Sequence, residues 1–161
     1  MEKEKYGANF QEHLLEQYKL YVEMADRISS RRIQANRFYV ALLSGLLALL
    51  SLLVNRNVFG NVLNVCFMAV GILGIALCIL WYVNIHSYRQ LNSGKFQVIH
   101  EMELHLPFPA YKREWEILGK GKESEKYRKL TSVERYVAFI FSIPYFVLII
   151  YSLYMLANCG N

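Results

Sequence analysis

Val62 to Val83 reads VLNVCFMAVGILGIALCILWYV, 22 residues without a charged side chain. At 1.5 Å per residue such a helix covers about 33 Å, enough to cross a bilayer core of about 30 Å. Two further stretches share the character: Phe38 to Val54 (FYVALLSGLLALLSLLV), which is just long enough, and Tyr136 to Ala157 (YVAFIFSIPYFVLIIYSLYMLA). A chain of 161 residues that is 55% hydrophobic and clumped in this way is a membrane protein. The fold expected is all-α, with three transmembrane helices, a helical cytoplasmic N-terminal arm and a cytoplasmic loop domain.

The basic residues set the expected orientation. Seven Lys and Arg precede the first span, with Arg27, Arg31, Arg32 and Arg37 close to it; Arg56 alone lies between the first two spans, ten lie between the second and third, and none follows. The positive-inside rule puts the N-terminus and the long loop in the cytoplasm and the C-terminus outside. The expected division is a cytoplasmic amphipathic helix over 1–37, spans at 38–54, 62–84 and 133–157, an external hairpin at 55–61, a cytoplasmic loop and short helix over 107–132, and an external tail at 158–161. The net charge of +5 then falls almost wholly on the inner side. Anionic lipid accounts for it, and no nucleic-acid partner is expected. No cleavable signal is expected, because a charged segment precedes the first apolar run.

Outside the spans, helical periodicity continues. Leu14, Tyr18, Tyr21, Ala25 and Ile28 recur at spacings of 4, 3, 4 and 3, a heptad-like seam. Its cover is either this chain's own cytoplasmic part or another subunit. Glu23 and Arg27 form an i, i+4 pair beside it. Below the second span, Tyr82, Tyr88, Leu91, Lys95, Ile99, Met102 and Leu106 keep helical spacing up to Pro107, with Ser93-Gly94 as the place for a bend. A short helix follows on Tyr111, Trp115 and Leu118, ended by Gly119-Lys120-Gly121. Thr131-Ser132-Val133-Glu134 has the form of a capping box opening the third membrane helix, in which Pro144 is tolerated.

Within the spans, Ala41, Ser44, Gly45, Ala48 and Ser51 make one small-residue face and Gly71, Gly74 and Cys78 another, each suited to close helix packing within or between subunits. The packing candidates are thus Leu14, Tyr18, Tyr21, Ala25, Ile28, Gly45, Ala48, Gly71 and Gly74. Trp81, Tyr82, Tyr136, Tyr151 and Tyr154 lie where interfacial anchors belong.

Chemistry is sparse. His100-Glu101-Met102-Glu103-Leu104-His105 imitates a zinc-protease helix, but three residues separate Glu101 from His105 where that motif has two. The two imidazoles then point about 140° apart on a helix, so one chain cannot bring both to a single metal. A metal site shared between subunits through His100 and His105 is a remaining alternative. Cys66 and Cys78 are three turns apart and cannot pair, and Cys159 is in the tail. No phosphate loop or nucleophile elbow is present, and the spans hold no ionisable residue, which argues against proton-coupled transport. No cofactor and no enzymatic activity are expected.

Two stretches, LLEQYKLYVEMADRISSRRIQANRFYVALLSGLLALL (Leu14 to Leu50) and SYRQLNSGKFQVIHEMELHLPFPAYKREWEILGKG (Ser87 to Gly121), together with the last span, resemble the bacterial RipA family of octameric membrane proteins. The resemblance implies a homo-octamer in the bacterial cytoplasmic membrane, in a family linked to growth inside host cells, and no catalytic residues to carry over. The expected function is that of a non-enzymatic scaffold or sensor, with membrane lipids and an unknown cytoplasmic component as partners. Its cytoplasmic collar would involve Phe96, Ile99, His100, Glu101, Pro107 and Trp115. A channel or membrane-permeabilising effector is the alternative.

Overall fold

The computed structural model describes residues 6–55, 62–121 and 130–158. Those residues form helices and turns, with no strand among them. In chain order they are α1 (Phe10–Asn55), α2 (Leu63–Glu103), α3 (Ala110–Ile117) with a single 3₁₀ turn at Gly119–Gly121, and α4 (Leu130–Asn158). Helices α1, α2 and α4 are each long and apolar enough to cross a membrane. The chain divides into two compact units, residues 33–86 with 131–161 and residues 1–32 with 87–130, to which α1 and α2 both contribute. The 55–61 hairpin beyond Asn55, the basic linker before Leu130, and the tail with Cys159 lie outside the described residues.

The apolar unit is three helices closed on a small core of Leu43, Cys78, Trp81, Ile85, Ala138 and Tyr145. Close approach is made possible by two glycines. A methyl group on Gly71 would lie 2.6 Å from Ile149 Cγ1 and 3.2 Å from the Tyr145 carbonyl oxygen, and one on Gly74 would overlap the Tyr145 ring. The glycine stripe of α2 is therefore used inside the chain, against α4. Tyr145, fully buried, then reaches past α2 and its hydroxyl donates to the Leu43 carbonyl of α1 at 2.7 Å. Ser152 Oγ donates to the Asn64 carbonyl at 2.7 Å. Interhelical hydrogen bonds of this kind hold helices in register where lipid offers no hydrophobic drive.

Trp81 departs from the expected place at a lipid interface. It is 2% exposed, stacked on Tyr39 at 5.8 Å and edge-on to Phe141 at 5.8 Å. Its indole N–H donates to Asn36 Oδ1 at 2.8 Å, and Asn36 Nδ2 donates to Glu134 Oε1 at 3.0 Å, so one polar chain joins all three helices. An indole whose N–H finds a protein acceptor has no need of the headgroup region. Helix α4 is described from Leu130 onward, and Glu134, the acid of the expected capping box, accepts from Asn36. The side chains of Thr131 and Ser132 lie outside the described residues. Helix α4 passes through Pro144 without interruption.

The polar unit packs the first half of α1 against the last part of α2 and α3. Ala25, Ile28 and Ile99 are buried, while Leu14, Tyr18 and Tyr21 are half-buried, so the heptad-like seam is covered at least in part from within the chain. Burying Ile99 completely stabilises by roughly 2 to 3 kcal/mol relative to exposure. The Lys95 ammonium sits 4.8 Å from the Tyr21 ring centroid, and Arg27 pairs with Glu23 at 2.7 Å on the exposed side. Ser93 and Gly94 lie inside α2, which stays helical through them. The α-helix stops at Glu103 rather than Leu106, because Pro107 lacks an amide hydrogen and restricts the residue before it. The last turn tightens into i to i−3 bonds, Leu104 to Glu101, His105 to Met102 and Leu106 to Glu103.

Candidate functional site

The motif that imitates a metalloprotease has a structural use at a residue outside the imitation. Helix α3 begins after Pro109, which stands at the N-cap and makes no side-chain cap bond. The first amides of a helix have no intrahelical acceptor and need one from elsewhere. Glu103, six residues upstream of Pro109, supplies it: Oε1 accepts the Tyr111 amide at 2.7 Å and Oε2 accepts the Lys112 amide at 2.9 Å. Oε1 also accepts the Tyr18 hydroxyl of α1 at 3.1 Å. One carboxylate, 1% exposed, thus joins the end of α2, the start of α3 and the middle of the α1 seam. Its charge lies at a helix N-terminus, where the aligned peptide dipoles favour it.

The Tyr18 hydroxyl reports the same arrangement. Its pKa is pushed up to about 12, first by burial and then by the hydrogen bond to and the charge of Glu103, all of which disfavour a tyrosinate there. The proton stays on Tyr18 at any physiological pH, and the hydroxyl is a fixed donor.

Of the collar residues, Ile99 is buried, Phe96 is half-buried with its ring edge on Tyr111 at 5.7 Å, His100 is half-buried near Phe96, and Glu101, Pro107 and Trp115 are exposed. The two histidines face different neighbours, since the His105 ring lies 6.4 Å from Phe10 while His100 lies 6.4 Å from Phe96. Among the described residues no group of three or more His, Cys, Asp and Glu side chains is placed to hold a metal ion. Glu103 was legible only as part of the false motif. The signal for its role is Pro109, a helix start without a side-chain acceptor, a few residues after the last acid of the preceding helix.

The packing candidates in the spans divide in two. Gly71 and Gly74 are covered by Tyr145 and Ile149, whereas a methyl group on Gly45 would meet nothing within 4 Å. Ala41, Ser44, Ala48 and Ser51 beside it are exposed. The small-residue face of α1 is therefore unused by the chain itself.

A family model, the octameric membrane protein family (8xMP), matches residues 15–154. The chain belongs to this family. The match takes in the polar seam from Leu15 onward, the first two spans, most of the third and the α2 to α3 turn, and it agrees with the RipA resemblance of the segments Leu14 to Leu50 and Ser87 to Gly121. Comparison with curated proteins and with solved structures gives no match. Membership makes the chain a multi-pass helical membrane protein and implies a homo-oligomer.

Proposed function

We propose that this octameric membrane family protein is a non-enzymatic homo-octamer of the bacterial cytoplasmic membrane, acting as a scaffold or sensor. Its polar unit is the cytoplasmic collar, an orientation supported by the seven and ten basic residues that flank the spans on that side. Lipids surround the spans, and the collar meets a further cytoplasmic component. The observation that carries the reading is the use of Glu103, the most deeply buried acid among the described residues of the polar unit, as a brace between three helices. Burying a charge is costly unless it is fully hydrogen-bonded, and here the reward is a collar of fixed shape rather than a reactive group. Growth inside host cells or stress adaptation is the setting suggested by the RipA resemblance.

Subunits pack through the exposed small face of α1 around Gly45 and Ala48, since the α2 stripe is occupied. Reconstruction of the protein in lipid nanodiscs by electron cryomicroscopy tests the reading. An eightfold assembly with α1 at the subunit contact and a closed or lipid-filled axis supports it, and a monomer or dimer refutes it.

A second reading rests on Ser44 and Ser51, hydroxyls exposed on that same face, which would suit a wet pore if they turned toward the axis. Ion flux from liposomes separates the two: leakage that Ser44→Leu abolishes favours the pore, and tight liposomes favour the scaffold.

A further inference from the structure

Between the first half of α1 and the facing parts of α2 and α3 runs an open groove of about 720 Å³, wholly within the polar unit. Its walls include Val22 of α1, Phe96 and Ile99 of α2 and Tyr111 of α3. Lys19, Glu23 and Asp26 line its α1 side and are exposed. Asp26 makes no hydrogen bond or ion pair with any described residue.

Another flank of α1 carries an apolar edge that its own chain leaves open. Leu20 is 55% and Met24 is 38% exposed, one turn apart. Arg31 continues that edge, exposed and without a partner among the described residues. At about 100° per residue the edge stands about 150° around the helix from Lys19, Val22 and Asp26.

A groove and an edge on nearly opposite flanks are the two unlike faces that a head-to-tail ring requires of each subunit. Rotation about an axis along the membrane normal keeps each residue number at one level, and α1 is a single helix from the arm into its span. Leu20 and Met24 of one subunit then stand within about 3 Å, along the axis, of Val22 in the next. The charges agree, since Arg31 on the edge lies about 7.5 Å along the axis from Asp26 at the groove, within reach of the two side chains together. Two acids against one lysine on the α1 side of the groove disfavour an anionic lipid surface as the cover.

We infer that the collar closes by a head-to-tail contact between copies of this chain, in which Leu20 and Met24 of one subunit enter the groove of the next and Arg31 faces the neighbouring Asp26. The inference rests on the homo-octamer reading and adds to it a cytoplasmic contact separate from that at Gly45 in the spans.

The test is oxidative cross-linking of the full chain in lipid nanodiscs, with Val22→Cys and Met24→Cys combined. Two residues apart on one helix, these positions point about 160° apart and do not pair within a chain. Pairing of groove with edge links each chain on both sides, so a ladder beyond the dimer is expected, at least about fivefold stronger than in either single variant. Asp26→Arg is expected to reduce the ladder about threefold, and Arg31→Asp added to it to restore most of it. Met24, Asp26 and Arg31 are exposed and Val22→Cys is a small change, so the variants keep the fold, and an unchanged circular dichroism spectrum confirms it. Mass measurement on the unaltered protein separates the two claims. A monomer refutes the octamer reading and the inference together. An intact oligomer whose double variant gives no ladder, stops at the dimer, or is indifferent to the charge changes overturns the collar contact alone.

Discussion

Replacing Glu103 with alanine removes the acceptor of three hydrogen bonds at once, from the amides of Tyr111 and Lys112 and the hydroxyl of Tyr18. A bond to a charged group contributes about 1.5 to 3 kcal/mol, and a donor left without an acceptor costs about 1 to 3 kcal/mol when buried. Two terms reduce the sum. Lys112 is exposed and Tyr111 only half-buried, so water reaches their amides in the variant, and the desolvation cost of the buried carboxylate disappears with it. The net loss is about 2 to 4 kcal/mol, confined to the junction of α2 and α3. Melting of the whole protein is a poor reporter, because the apolar unit dominates it. Hydrogen exchange at the Tyr111 and Lys112 amides is direct, since Glu103 is their acceptor. At about 1.4 kcal/mol per tenfold, Glu103→Ala predicts faster exchange there by a factor of roughly 30 or more, with the amides of α4 unchanged. Glu103→Gln retains one acceptor oxygen but turns an NH₂ group toward a donor, and it predicts about half the effect in free energy. Unchanged exchange at both amides in Glu103→Ala refutes the bracing role.

Gly74→Ala places a methyl group inside the Tyr145 ring, so α2 and α4 must separate; a loss of about 1 to 3 kcal/mol is expected in detergent unfolding, and a neutral result would disprove the close approach. Trp81→Phe removes the donor to Asn36 and leaves a smaller ring in the core, with an expected cost of about 2 kcal/mol in the same assay. Tyr18, with a folded pKa of about 12 above an unfolded value of about 10, contributes stability that is fully present below pH 10 and is lost as pH rises through about 12. The amount is on the order of 2 kcal/mol, and tyrosinate absorbance compared between the parent and Tyr18→Phe should show one tyrosine missing from the late part of the titration. Gly45→Leu with Ala48→Leu leaves the chain's own packing intact, since a methyl group at Gly45 meets nothing and Ala48 is exposed, yet mass measurement in nanodiscs should show the oligomer reduced.

The three membrane helices were legible because length and the absence of charge are properties of the sequence alone, and Val62 to Val83 states both without ambiguity. What a span packs against is a property of pairs. Gly45 and Gly74 look alike as small residues in apolar runs, and only the position of Tyr145 on α4 shows that one is covered and the other is open. The same holds for Trp81, read as an interfacial anchor from its place near a span's end until Asn36 on another helix supplied its acceptor. Pro107 announced the end of α2 to within a turn, but the tightening from Glu103 onward depends on how the chain enters α3. Glu103 itself was hidden by a better-known pattern, in which His100, Glu101 and His105 drew the eye to spacing while the neighbouring acid had the geometry.

Consumption of the α2 glycines inside the subunit constrains the proposed ring. In a cyclic assembly with one kind of contact, each subunit offers two different faces, so a small-residue face on one subunit meets an unlike face on the next. Lipid chains are as apolar as leucine, and a ring contact gains little from burial alone; it must gain from close packing and hydrogen bonding. On α1 the exposed face with Gly45 and Ala48 permits close packing, and the Ser44 and Ser51 hydroxyls can donate. The complementary face then has to be bulky, and α4 provides it in Phe139, Ile143 and Phe146, all exposed. Truncating Phe146 to alanine should weaken the oligomer as Gly45→Leu does, and Gly45→Leu combined with Phe146→Ala should restore part of it. Two losses that simply add would mean that Gly45 and Phe146 do not meet across the subunit contact.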